Sequence, residues 1–264
     1  MKANSKIILP RDELQRLYVE ENLSSNEIAR RFGCHGLTVR ARLREYEIPI
    51  KARGWHKLRC CVPDTVLESW PSSDLAYVVG LIASDGNLQR QNNCVQLVST
   101  DRELVDLCAT ALGLDDPHII SWDPPSRKTA FMLQVCDYVF REFLELRGLT
   151  PNKSLSIGPL DIPDVVFADF LRGELDGDGS WYLAKGWRGF PYLVGTFRSA
   201  SQQFLEWLQQ TIFRLTGIEG RSQHRKLIYN GKKAEALGGW IYYAPNLPSL
   251  QRKRNVWQNW MARH

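Results

Sequence analysis

Residues 171–180 read Leu-Arg-Gly-Glu-Leu-Asp-Gly-Asp-Gly-Ser, and residues 78–86 read Val-Val-Gly-Leu-Ile-Ala-Ser-Asp-Gly. Each stretch closes an apolar, helix-competent run and ends in Asp-Gly. Gly80 and Ser84 are four residues apart, as are Gly173 and Gly177, so each pair lies on one helix face. Gly costs about 1 kcal/mol against Ala inside a helix. Small residues at this spacing therefore predict two helices packed backbone to backbone. Such packing brings their C-terminal ends together, and those ends carry Asp85 and Asp178. A helix C-terminus has negative dipole character, and two carboxylates there repel each other. A hard divalent cation with oxygen ligands, Mg²⁺ before Mn²⁺ or Ca²⁺, relieves that repulsion.

The surroundings of the two stretches repeat. After the first, strands are expected at 87–91 and 94–99 with an Asn92-Asn93 turn, Val95 and Leu97 facing the core and Gln96 facing away. An amphipathic helix at 101–112, strands near 118–121 and 130–136, and a helix at 137–146 follow. The second stretch belongs to a helix at 165–178. Strands near 180–184 and 192–197, a helix at 201–216, strands near 220–223 and 226–229, and helices at 232–237 and 250–261 come after it. A repeat of this size implies a pseudo-two-fold α+β domain within one chain.

The paired stretches resemble the signature helices of LAGLIDADG homing endonucleases. The second copy matches that motif at Leu171, Gly173, Asp176, Asp178 and Gly179. The first matches at Gly80, Leu81, Ile82, Asp85 and Gly86 and departs at Ala83 and Ser84. The resemblance covers roughly residues 70–260 and implies two αββαββα halves, 73–150 and 151–264. It implies that Asp85 and Asp178 bind metal and catalyse, with the carbonyls of Ser84 and Gly177 assisting. It also implies a lysine near each metal. Pro151-Asn152-Lys153-Ser154 suggests Lys153, and Arg252-Lys253-Arg254 suggests Lys253.

Upstream, residues 1–50 resemble a resolvase-like helix-turn-helix domain. A helix over 11–21 is followed by the capping box Ser24-Ser25-Asn26-Glu27. The second helix carries Ile28, Ala29 and Phe32 and ends at Gly33. A third buries Val39, Leu43 and Tyr46 and offers His35, Thr38, Arg40, Arg42 and Arg44 to a major groove. Residues 51–72 read as a basic linker, with Lys51 and Arg53 placed to follow phosphates.

Charge is unevenly spread. Residues 1–62 hold 13 Lys and Arg against 7 Asp and Glu, residues 63–184 hold 8 against 19, and residues 185–264 hold 13 against 3. Basic ends suit a nucleic-acid backbone. Strands laid in a major groove read base edges with Arg, Lys, Gln and Asn. The candidates are Gln89, Arg90, Gln91, Asn93 and Gln96 in the first half. In the second they are Tyr182, Lys185, Arg188, Arg198, Arg221, Gln223, His224, Arg225 and Lys226. Trp181 and Trp187 are expected to pack, and His118 and His224 to lie at the surface. Six cysteines without metal-ligand spacing are expected to be free thiols. No apolar run is long enough for a membrane span, and no signal peptide is evident at the N-terminus.

The expected protein is a monomeric, Mg²⁺-dependent endonuclease cutting both strands of a specific DNA site, leaving short 3′ overhangs, in intron homing. The helix-turn-helix would lengthen its target. It would act in the cytoplasm or an organelle, wherever that DNA lies. Two other uses of the same fold stay open: a catalytically silent DNA-binding regulator, and a maturase holding intron RNA. An intein fits less well, because the chain opens with Met and closes with Ala262-Arg263-His264.

Overall fold

The computed structural model describes residues 9–21, 23–50, 61–90, 92–124 and 128–264, the side chain of Arg188 excepted. The N-terminal unit is three helices. Helix α1 (Arg11–Gln15) continues as a π-helical turn, Arg16–Glu20. Helix α2 (Ser25–Phe32) starts at the expected capping box and stops at Gly33, which takes the left-handed conformation. Helix α3 spans Gly36–Glu45. Leu14, Leu17, Ile28, Val39, Leu43 and Ile48 form their own small core.

Residues 61–72, the described part of the stretch read as a linker, carry a helix and pack against the rest of the chain. Val62 is buried, and its N–H donates to Asp137 Oδ2 (3.0 Å). Helix α4 (Asp64–Glu68) follows. Asp64 accepts from Arg40 Nη2 (3.0 Å) and pairs with Arg44 (2.9 Å), while Glu68 also pairs with Arg44. Glu142 caps the start of α3 by accepting from the Gly36 N–H (2.7 Å). These bonds dock the N-terminal unit on the first half. Lys51 and Arg53 lie outside the described residues.

The first half runs α5 (Ser73–Ser84), β1 (Gly86–Leu88), β2 (Cys94–Ser99), α6 (Arg102–Ala111), β3 (Ile119–Trp122), β4 (Ala130–Cys136), α7 (Tyr138–Leu146). The second runs α8 (Phe167–Asp176), β5 (Ser180–Lys185), β6 (Pro191–Arg198), α9 (Gln202–Thr216), β7 (Arg221–Ser222), β8 (Lys226–Asn230), α10 (Lys232–Ile241), α11 (Gln251–Met261). Each half holds one antiparallel four-stranded sheet, ordered β1-β2-β4-β3 and β5-β6-β8-β7. The same order twice is the expected internal repeat. Strand β1 is shorter than expected: beyond Leu88 the chain turns, and the Gln89 N–H reaches across to the Cys94 carbonyl (3.0 Å).

One apolar core runs through both halves. Val95 and Leu97 enter it from β2, whereas Gln96 turns away. Asp137 caps α7 by accepting from the Val139 N–H (2.9 Å), and Ser201 caps α9. Trp181 packs as expected and donates to the Tyr242 hydroxyl (3.2 Å). Trp187 does not pack: it is 89% exposed on the connection between β5 and β6. The free-thiol expectation also fails at one pair. Cys94 and Cys136 face each other in the β2–β4 register and are joined as a disulfide, because adjacent strands bring opposite side chains of one face together. No helix of the described residues is long and apolar enough to cross a membrane.

Candidate active site

The site is built by the contact between α5 and α8. A methyl added at Gly80 would lie 2.1 Å from the Phe170 carbonyl oxygen, and one at Gly173 would lie 2.1 Å from that of Tyr77. The Gly80 and Gly173 backbones therefore touch. One turn on, Ser84 fills the space at Gly177, where an added methyl would meet its Oγ at 1.9 Å. The four small positions singled out by spacing form the interface. The Ser84 hydroxyl bonds the carbonyls of Leu81 (3.0 Å) and Gly80 (3.2 Å), on its own helix.

Both acids emerge where these helices end. Asp85 is the C-cap of α5, and Asp178 lies two residues beyond the last residue of α8. Asp85 is half-buried and Asp178 is exposed. Neither carboxylate has a hydrogen-bond or ion-pair partner among the described residues. Loss of hydration, then the charge of Asp178, raises Asp85 to about 6. Loss of hydration raises Asp178 as well, against the pull of Lys253 and Lys153.

Lys153 and Lys253 are both buried beside the acids. The Lys153 ammonium donates to the Gly86 carbonyl, next to Asp85. Lys253 Nζ lies 2.7–2.8 Å from the carbonyls of Leu175, Asp176, Gly177 and Gly179, closing the C-terminal end of α8. Burial lowers both lysines, Lys253 to about 8. The Gly177 carbonyl is thus already an acceptor for Lys253.

Two further acids of the second stretch went unassigned in the sequence. Asp176 Oδ2 accepts from the Tyr77 hydroxyl (2.9 Å) and the Leu250 N–H (2.7 Å), bracing α8 to the first half and to the lead-in of α11. Glu174 is buried, and its Oε1 has no hydrogen-bond partner among the described residues. Burial, then Asp178, raises Glu174 well above the usual carboxylate range. The available signal was a charge where the motif has Leu.

A cavity of about 120 Å³ opens here, lined among others by Ser84, Ser154, Glu174, Asp178 and Arg198. Unpaired carboxylates and an orphaned buried carboxylate oxygen fit a divalent cation. Among the described residues no three His, Cys, Asp or Glu side chains are grouped to cage one. Such a cation would keep part of its water shell.

The sheets place the base-reading candidates unequally. On the first, Gln96 sits between Asn87 and Gln134 in one cross-strand row, and its Nε2 donates to Gln134 Oε1 (3.2 Å). Asn87 and Gln134 were not foreseen; the register that groups them is set by pairing across the chain. Gln89, Arg90 and Asn93 lie in the β1–β2 turn, with Arg90 bonded to the Asn152 side-chain oxygen when that amide is oriented to accept. On the second sheet, Arg198, Arg221 and Lys226 share the face turned from the core. Lys185 alternates to the opposite face, and Tyr182 is exposed. Gln223, His224 and Arg225 form the exposed β7–β8 turn, where His224 and Arg225 both have positive φ (35° and 58°). Gln91 and the Arg188 side chain lie outside the description.

On α3 the expected face is divided. Arg40 is buried and bonded to Asp64 and Tyr138, so it is a docking residue and not a groove reader. Arg44 is drawn to Asp64 and Glu68. Thr38 and Arg42 stay partly exposed, Arg42 against Glu45, and His35 is exposed 3.7 Å from Glu142. His118 is exposed just before β3.

No protein-family model and no curated protein matches this sequence. Among solved structures, the chain is similar to the homing endonuclease I-WcaI bound to its DNA recognition sequence (12% identity, 74% of this chain and 91% of that chain, TM-score 0.49). It is similar to the meganuclease I-SmaMI bound to uncleaveable DNA (16% identity, 72% and 90%, TM-score 0.45). It is also similar to the N-terminal LAGLIDADG domain of WhiA (12% identity, 77% and 99%, TM-score 0.45).

Proposed function

We propose that this protein is a divalent-metal-dependent endonuclease that cuts both strands of a specific DNA site. The observation that carries this reading is the pair of unpartnered carboxylates, Asp85 and Asp178, presented side by side at the ends of two touching helices. One acid comes from each half, which suits two phosphodiesters on opposite strands. A bound cation would supply Lewis-acid polarisation of phosphoryl oxygens and lower the pKa of water. Asp85 and Asp178 would each hold one such cation. Lys153 and Lys253 brace the backbone beside each acid, and their charge offsets the anionic phosphate. The cross-strand row Asn87, Gln96, Gln134 and the basic face Arg198, Arg221, Lys226 would read the target. The three-helix unit, as a helix-turn-helix, would add contacts through Thr38, Arg42 and His35.

Cleavage of a DNA library of candidate sites, with Mg²⁺ and with EDTA, tests the reading. Asp85→Asn and Asp178→Asn are expected to abolish double-strand breaks while specific binding survives. Specific binding with no metal-dependent cut in the unsubstituted protein would instead identify a regulator that keeps the fold and lacks the reaction.

A further inference from the structure

We propose that Glu174 is a positioning residue for a hydrated divalent cation in the second half of the site. Its carboxylate would accept hydrogen bonds from water on a cation held at Asp178. The inference rests on the metal-dependent reading above.

Three observations meet at this residue. Glu174 is 2% exposed, and among the described residues Oε1 has no partner, although buried polar atoms nearly always have one. Glu174 is among the residues that line the cavity it shares with Asp178, with Arg198 also in the wall. At about 30 Å³ per water, about 120 Å³ has room for a small cluster of waters. Finally, among the described residues no three His, Cys, Asp or Glu side chains are grouped to cage a cation, so a Mg²⁺-like ion there would retain waters that need acceptors.

The arrangement is one-sided. Gly80 and Gly173 occupy equivalent places in the helix contact, so the counterpart of Glu174 is Leu81, a buried core residue. The two cations would therefore be held unequally, the second-half ion more tightly.

Mn²⁺ titration of the full-length protein, followed by electron paramagnetic resonance and water-proton relaxation, tests this. In the unsubstituted protein two ions of unequal affinity are expected. Glu174→Gln should weaken the tighter ion about tenfold, the lower end of what loss of an outer-shell partner does, and alter its bound-water relaxation. Glu174→Leu, which copies the Leu81 side, should make the two affinities alike and guards against misfolding of the first variant. Unchanged Mn²⁺ binding in both variants would overturn the role of Glu174 while leaving the nuclease reading intact. Equal weakening of both ions would overturn its assignment to the second half. Absence of Mn²⁺ binding in the unsubstituted protein would remove the metal-dependent reading and this inference together.

Discussion

At position 173 the side chain is a hydrogen atom, and that sets how near two carboxylates can stand. A methyl there meets the Tyr77 carbonyl at 2.1 Å, which only backbone movement relieves. Gly173→Ala is expected to destabilise the fold by at least about 2 kcal/mol, as overpacked cores do, measured by chemical denaturation. The titration of Asp85 gives a second test. Its folded-state value, about 6, lies above the ordinary 3.8, so the metal-free fold binds this proton more tightly than the unfolded chain does. That contribution stabilises the metal-free fold as pH falls through 6 towards 4. A bound cation needs the carboxylate and gives the opposite slope. The rise in melting temperature produced by Mg²⁺ should therefore shrink from pH 8 to pH 5.5. A pH-independent rise would show that Asp85 is not a ligand.

Among the elements, the hairpin β7–β8 departs from ordinary turn chemistry. Its two-residue turn requires positive φ at both positions, where Asn-Gly is favoured; this chain has His224 and Arg225. Left-handed backbone costs a non-glycine residue about 1 kcal/mol. Arg225→Gly should accordingly raise stability by about 0.5–1 kcal/mol. If the turn touches phosphate, the same change should weaken DNA binding and flatten its log–log salt slope by about 1. A gain in stability with an unchanged salt slope would place Arg225 away from the DNA.

At the scale of the molecule, the N-terminal unit is fixed to helix α4 by Arg40 and Arg44, held by Asp64 and Glu68, and to the first half by the Gly36 N–H on Glu142 and Arg40 on the Tyr138 hydroxyl. Arg40 is 4% exposed, so removing its partner leaves a buried charge. A double-mutant cycle of Arg40→Met with Asp64→Asn should show coupling of about 1–3 kcal/mol. Additive effects would mean that the unit is only tethered. Fixed docking also predicts that DNA sites tolerate no change of spacing between the segments contacted by the three helices and by the first sheet. Footprinting on sites with inserted base pairs measures it.

The amino-acid sequence by itself determined the local features. Small residues four apart specified a close helix pair, Ser24 and Glu27 started α2, and Gly33 ended it. Alternation in 94–99 chose which face of β2 enters the core. These follow from φ/ψ preference and from periods of 3.6 and 2, which need no distant partner. The repeated order of elements was legible for the same reason, and with it the positions of Asp85 and Asp178. Only the tertiary structure decided the rest. Strand register grouped Asn87 and Gln134 with Gln96 and faced Cys94 with Cys136. Docking turned Arg40 from a solvent-facing helix position into a buried ion pair. Packing of α8 left Glu174 buried beside Asp178 with an unbonded oxygen. Each of these depends on which surfaces meet across tens of residues of chain, and a charge or an amide in a sequence carries no record of what it will meet.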